Sequence, residues 1–255
     1  MSPTVEPRRR SRLPAVMVAV LVLAAAIVAA DIAVRAYVSD RIETSVRTGL
    51  GIQPDVPVEV DVEGFSVLAQ LATGRLTHIE LSSDSVTFGE LTGAADVTAI
   101  GVPLDQAQPV ESLSLAFRVD ESELEALSAN LSGLPITSVA IEGSEIQISA
   151  EFAVFGLAVP LGVGLEPEAV DGRLAFTPSS ITLSNATFTA DELRRQFGRT
   201  ADTALQTQDF CIAQYLPSVF VLDSAELRGH ELSLGFEAPD VILGDETFAA
   251  MGTCQ

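Results

Sequence analysis

Residues 58–81 read VEVDVEGFSVLAQLATGRLTHIEL. Val58, Val60 and Val62 alternate with Glu59, Asp61 and Glu63, the period of a strand with one buried and one wetted face. Gly64 interrupts the alternation. Ser66 to Thr73 then carries apolar residues without a period of two, which predicts a short helical turn closed by Gly74. From Leu76 to Ser82 alternation returns. Strand, short helix and strand joined by glycine corners set an α+β fold, and because sheets with one wet face are usually antiparallel, its strands should be so.

Toward the C-terminus the same alternation recurs. Leu113, Leu115, Phe117 and Val119 repeat it, as do Ile146 to Val154, Ile181 with Leu183, and Leu232, Leu234 and Phe236. Asp120 with Glu123 resembles a capping box ahead of Leu124, Leu127 and Leu131, and Gly133 with Pro135 stops that segment. Thr189 with Glu192 repeats the signal and predicts one helix carrying Leu193, Phe197, Ala201 and Leu205 on a single face. With no internal repeat and no long low-complexity linker, residues 39–255 read as one domain.

Toward the N-terminus, Val38, Ile42, Val46 and Leu50 form the stripe of an amphipathic helix from Tyr37, ended at Gly49 to Gly51 and closed by Pro54. Before it runs Leu13 to Val34, interrupted only by Pro14 and Asp31, about 33 Å long as a helix at roughly 1.5 Å per residue. A bilayer core is about 30 Å thick. Arg8, Arg9, Arg10 and Arg12 precede the run and orient it with residues 1–12 in the cytoplasm, 13–34 as a transmembrane anchor or signal segment, and 39–255 extracytoplasmic. Val28 and Ala30 stand at −3 and −1 of a possible cleavage site, which would release a secreted protein. Helical apolar character continues past that point and favours an uncleaved single-pass anchor in the plasma membrane.

Composition narrows the chemistry. The 255 residues carry a net charge of −21, and every basic side chain is an arginine. Without lysine there is no Schiff-base nucleophile and no P-loop ammonium. A pI near 4.2 argues against nucleic acid as a partner. With 47% hydrophobic and 19% charged residues the chain is too apolar for disorder. Gly64-Phe65-Ser66-Val67-Leu68 fails the nucleophile-elbow pattern at its last position, and His230-Glu231 lacks the second histidine of a zinc-protease helix. His78 sits on a strand with Ile79 and Leu81 and reads as solvated or structural. Glu166, Glu168 and Asp171 read as a solvated loop, their spacing matching no calcium loop. No catalytic residue, metal ligand or cofactor is expected. Cys211 and Cys254 both fall in the exported part, where an even pair is most simply a disulfide. Closing that loop would contribute about 4 kcal/mol in the chain-entropy model.

Phe155 to Leu165 reads FGLAVPLGVGL and breaks the amphipathic pattern. Phe155, Leu157, Val159, Leu161 and Val163 fall on one face, and Gly156, Ala158, Pro160, Gly162 and Gly164 on the other. Two readings remain open. The segment is the wall of an apolar groove whose smooth face lets hydrocarbon approach, or it is a central strand crossed closely by a helix.

The membrane segment, the amphipathic helix and the stretch 58–81 together resemble the actinobacterial LmeA-like family of phospholipid-binding envelope proteins. Gly64, Phe65, Leu68, Gln70, Leu71, Gly74 and Arg75 match its pattern in order, while Ser66 and Val67 stand where Pro and Phe are expected. A second match is FCIAQYLPSVFVLDSAELRGHELSL, with Cys211, Tyr215, Leu216 and Pro217. The resemblance implies a TULIP-like fold, a long curved antiparallel sheet wrapped about a helix, with phospholipid held between them. Phe65, Leu68, Leu71 and the bulky positions from Phe155 to Val163 are the candidate lipid contacts. The expectation is a non-enzymatic protein that binds phospholipid outside the plasma membrane, in envelope lipid transfer or maintenance. The alternative is a structural envelope protein without lipid cargo, working through its acidic surface.

Overall fold

The computed structural model describes residues 13–50, 56–88, 91–105, 107–130, 136–154, 157–184, 186–243 and 250–253. Helix α1 (Leu13–Leu50) unites the two N-terminal segments read from the sequence. From Met17 to Ala30 every residue is exposed. Beyond Asp31 half-buried positions recur with helical period, and Val34, Val38 and Ile42 pack on the core. One helix therefore has two surroundings: the apolar half is exposed all round from Met17 to Ala30, and the amphipathic half is the first packed element of the domain.

Strand β1 (Glu59–Glu63), helix α2 (Val67–Thr73) and strand β2 (Arg75–Phe88) reproduce the reading of residues 58–81. Ser66 caps α2, its hydroxyl accepting from the Ala69 amide, and Gly74 closes it at φ 79°, the left-handed conformation that a helix C-cap favours. The Gln70 side chain is buried between the two strands. Its Nε2 donates to the Glu63 carbonyl at 2.8 Å and its Oε1 accepts from the Thr77 amide at 2.8 Å. Gln70→Leu keeps the volume and removes both bonds, so unfolding measurements should show a loss of about 2 kcal/mol, the cost of leaving such groups unpaired.

Next come β3 (Leu91–Pro103), β4 (Ser112–Asp120), α3 (Glu121–Asn130), β5 (Ile136–Glu142), β6 (Glu145–Val154), β7 (Leu157–Val170), β8 (Arg173–Leu183) and β9 (Ala186–Thr189). The chain continues through α4 (Ala190–Phe197), α5 (Arg199–Ala204), β10 (Gln208–Phe210), β11 (Val221–Arg228) and β12 (Glu231–Ala238). The fold is α+β and its strand pairings are antiparallel. The strands divide into two six-stranded sheets, ordered β1-β2-β3-β4-β12-β11 and β10-β8-β7-β6-β5, with β9 also on β8. β6 pairs with β7 only as far as Leu165, and β7 also lies against β11, where the two sheets meet. Twist accumulating over this many strands favours such a division.

In the first sheet, cross-strand rows such as Val60, Leu81, Val97, Leu115 and Phe236 build an apolar inner face. That face is continuous with the second sheet through Leu124, Phe176 and Leu227, which pack in both neighbouring clusters.

Two expectations need correction. The segment opened by the Thr189 capping box, which is present, is two helices, broken at Gly198 with φ 53° and ψ −131°. Leu193, Ala201 and Leu205 still pack together, but Phe197 points out and is 58% exposed. Glu166 and Glu168 lie on the outer edge of β7 and not in a loop; the turn begins only at Asp171, whose φ is 50°.

Glu121 at the start of α3 accepts from the Ile141 amide at 2.7 Å and lies 3.3 Å from His230 Nδ1. The amide bond first, then His230, holds its carboxyl below the ordinary value of 4.5. A lowered folded value stabilises the protein above the unfolded value and is lost as pH falls through the folded one. Thermal unfolding followed from pH 6 downward should fall off in the acid carboxylate range, and less steeply in Glu121→Gln.

Candidate functional site: an apolar inner face with two openings

β7 is a central strand, flanked by β6 and β8. Its register decides which of its faces is apolar. Ile148, Val163, Ile181 and Phe188 stand opposite one another across four strands, as do Ala150, Leu161, Leu183 and Ala186. Phe152 pairs with Val159 in a third row. Opposed residues share a face, and these three rows carry no polar side chain.

The other face is polar. Gly162 lies between Ser149 and Thr182, and Gly164 between Gln147 and Ser180. A Cβ on Gly164 would collide with Glu145, Ser180 and Gln147, and one on Gly162 would press on Thr182. Around Gly162 and Gly164 the smooth face is thus filled by polar side chains from neighbouring strands. Neither hydrocarbon nor a crossing helix accounts for Gly162 and Gly164, while Gly156 lies outside the described residues. The bulky face, whose direction the sequence left open, is the one toward the apolar interior.

Both ends of that apolar face are covered. Leu193, Ala201 and Leu205 of the α4–α5 region pack on Ile181 and Phe188, while Leu124 of α3 and Leu227 of β11 pack with Val139, Ile141, Ile146 and Ile148. Between them the floor is open. Leu183 is 47% and Phe152 38% exposed, with Val159, Leu161 and Val163 half-buried. Phe155 lies outside the described residues, as does the side chain of Leu157.

A second opening lies where α1 meets the first sheet. Tyr37, Val38, Arg41 and Ile42 face Leu71, Leu76, Val102, Pro103, Leu104, Gln108 and Leu243 around a mostly apolar cavity of about 340 Å³. Leu71 is therefore on a cavity wall. Leu68 is half-buried on α2, its amide donating to Asp31 Oδ1 at 3.0 Å. Phe65 is fully exposed and reaches neither opening. The structure brings Val159, Leu161 and Val163 together, separates them from Leu71, and sets Phe65 apart from both. Phe152 and Leu183 were read from sequence as strand positions but not as candidate lipid contacts, because their membership in the floor follows only from strand register.

Polar clusters lie outside these openings. Glu63 and His78 are register partners on β1 and β2, and with Glu80 their ligand atoms lie within 4.8 Å of one another. The donor set suits a divalent cation in kind, but His78 Nε2 already lies 3.1 Å from Glu80 and 4.0 Å from Glu63 on a wetted face. A second cavity of about 350 Å³ is lined by Thr187, Phe188, Glu192, Arg195 and Gln196 beside β9. Glu192 is held below the ordinary carboxylate range by the Thr189 amide and hydroxyl of the capping box.

An extended apolar surface with exposed aromatic and aliphatic members, framed by covered ends, is suited to aliphatic chains and offers no polar recognition along its length. Comparison with curated proteins and with solved structures finds no significant match. The family model described as LmeA-like phospholipid-binding matches residues 29–237, from the last apolar turns of α1 to the end of β12. The chain belongs to the LmeA-like phospholipid-binding family.

Proposed function

We propose that the protein is a non-enzymatic phospholipid carrier or holder, tethered by α1 to the outer side of the plasma membrane, with acyl chains laid on the open floor of the second sheet. The observation that carries this reading is the set of wholly apolar cross-strand rows around Leu161, left uncovered between α3 and the α4–α5 region. Burying its exposed members would gain roughly 25 cal/mol for each Å² removed from water. A role in envelope lipid transfer or maintenance follows if the exported side is the C-terminal one, as the arginines before α1 favour. His78 and His230 are engaged by glutamates, which supports a role without nucleophile activation. Native mass spectrometry of the full chain, with activation sufficient to strip annular lipid from α1, should retain a stoichiometric phospholipid mass. A bare chain under the same conditions would leave the structural envelope reading.

The disulfide is part of the proposal. Cys254 lies outside the described residues, but the chain leading to it is bound to the segment after Cys211. The Gly252 amide donates to the Leu216 carbonyl at 2.9 Å, the Ser218 amide to the Ala250 carbonyl at 2.7 Å, and Pro217 bridges Met251. Thiol labelling in denaturant without reductant should find no reactive cysteine, and two after reduction. Two labelled thiols before reduction would exclude the bond.

A further inference from the structure

We infer that the Gly64–Phe65–Ser66 corner is a membrane-inserted foot, which sinks Phe65 into the outer leaflet beside the anchor and fixes the domain's height and tilt over the lipid it draws on. The inference rests on α1 being a membrane anchor.

Phe65 is wholly exposed, yet its backbone is held on both sides. Arg35 donates to the carbonyl of Val62 and, at 2.6 Å, to that of Gly64. Asp31 Oδ1 accepts from the Ser66 hydroxyl at 2.7 Å and from the Leu68 amide at 3.0 Å. Gly64 itself has φ 110°, and a side chain there would meet the buried Gln70 amide. An apolar ring on so fixed a platform is held away from the core, and none of the described residues covers it.

Its place relative to α1 supplies the occupant. Asp31 and Arg35 are one helical turn apart, about 6 Å, and they end the stretch of α1 that is exposed on every side. If that stretch lies in lipid, Phe65, pinned between the two, stands at the membrane boundary, the depth at which amphipathic and aromatic side chains settle. Charge agrees with the placement. The chain carries −21, which an anionic surface repels, but Gly64 to Gly74 contains no ionisable side chain. α2, capped by Ser66 where the family resemblance led us to expect proline, thus offers the bilayer a neutral contact. The same helix contributes Leu71 to the wall of the cavity beside α1, so the foot would hold that opening close to the leaflet.

The chain has no tryptophan, so a single introduced one reports its own surroundings. Full-length Phe65→Trp, Ile27→Trp in the apolar half of α1 and Phe197→Trp on α4 should each be reconstituted into phosphatidylcholine–phosphatidylglycerol vesicles with and without brominated acyl chains. Trp emission at positions 65 and 27 should be blue-shifted and quenched several-fold by bromine, and emission at 197 should be neither. Quenching at 27 without quenching at 65 overturns the foot and keeps the anchor. No quenching at either removes the anchor and the foot together. Equal quenching at 65 and 197 would mean the domain lies on the bilayer by another face, and overturns the inference as well.

Discussion

Leu161→Asp should abolish phospholipid retention while lowering the thermal midpoint by only a few degrees. Leu161 is half-buried, and its row neighbour Leu183 is 47% exposed, so water reaches this part of the floor when no lipid covers it. A carboxylate there stays hydrated in the empty protein. With acyl chains laid against it the same group is desolvated without a partner, at a cost of several kcal/mol. At 1.4 kcal/mol per decade, affinity should drop by a hundredfold or more. Val159→Asp, one row further along and opposite the exposed Phe152, should behave likewise. Measurement pairs retained lipid with thermal unfolding for both variants. If both unfold outright, the floor is sealed core and the acyl chains lie elsewhere.

Phe117→Ala should have the opposite profile, a loss of about 3–5 kcal/mol in unfolding free energy, the usual range for truncating a buried phenylalanine. Phe117 is 3% exposed in the middle of the first sheet, between Ala95 and Leu234 in its row. Its ring meets that of Phe88 edge to face, with centroids 4.8 Å apart, an arrangement that adds to the area it buries. A Cβ at Gly93 would collide with the Arg118 carbonyl oxygen, so a larger residue at 93 could not fill the space the ring leaves. Equilibrium unfolding of the variant measures the loss. A cost near 1 kcal/mol would mean that this part of the inner face is loosely packed and could itself admit lipid.

The contrast between those two positions shows what sequence made legible. Alternation marked Phe117 and Leu161 alike as bulky apolar positions on one face of a strand, since a period of two separates faces regardless of what lies opposite. Whether a face is sealed or open depends on elements far away in the chain, here α3, β11 and the α4–α5 region, and no local pattern carries that. Residues 58–81 were readable because every feature in them is local: caps at Ser66 and Gly74, alternation on either side. β3 was not singled out, because Gly93, Ala94 and Ala95 give it little strand character of its own, and its place is set by pairing with β2 and β4. The glycines of β7 were noticed for their oddity, but their cause lies in Glu145, Gln147, Ser180 and Thr182 on adjacent strands. Phe65 was grouped with Leu68 and Leu71 by their shared place in the pattern of the family the sequence resembles. One turn of backbone separates a cavity wall from a ring in open solvent.

The most direct test of the lipid-holding account is where a bound acyl chain touches the protein. Full-length protein carrying a phospholipid with a photoactivatable group near the acyl terminus should, after irradiation and digestion, be labelled on peptides containing Phe152 to Val163 and Ile181 to Phe188. Label on α1 alone, with none on β6, β7 or β8, would contradict it.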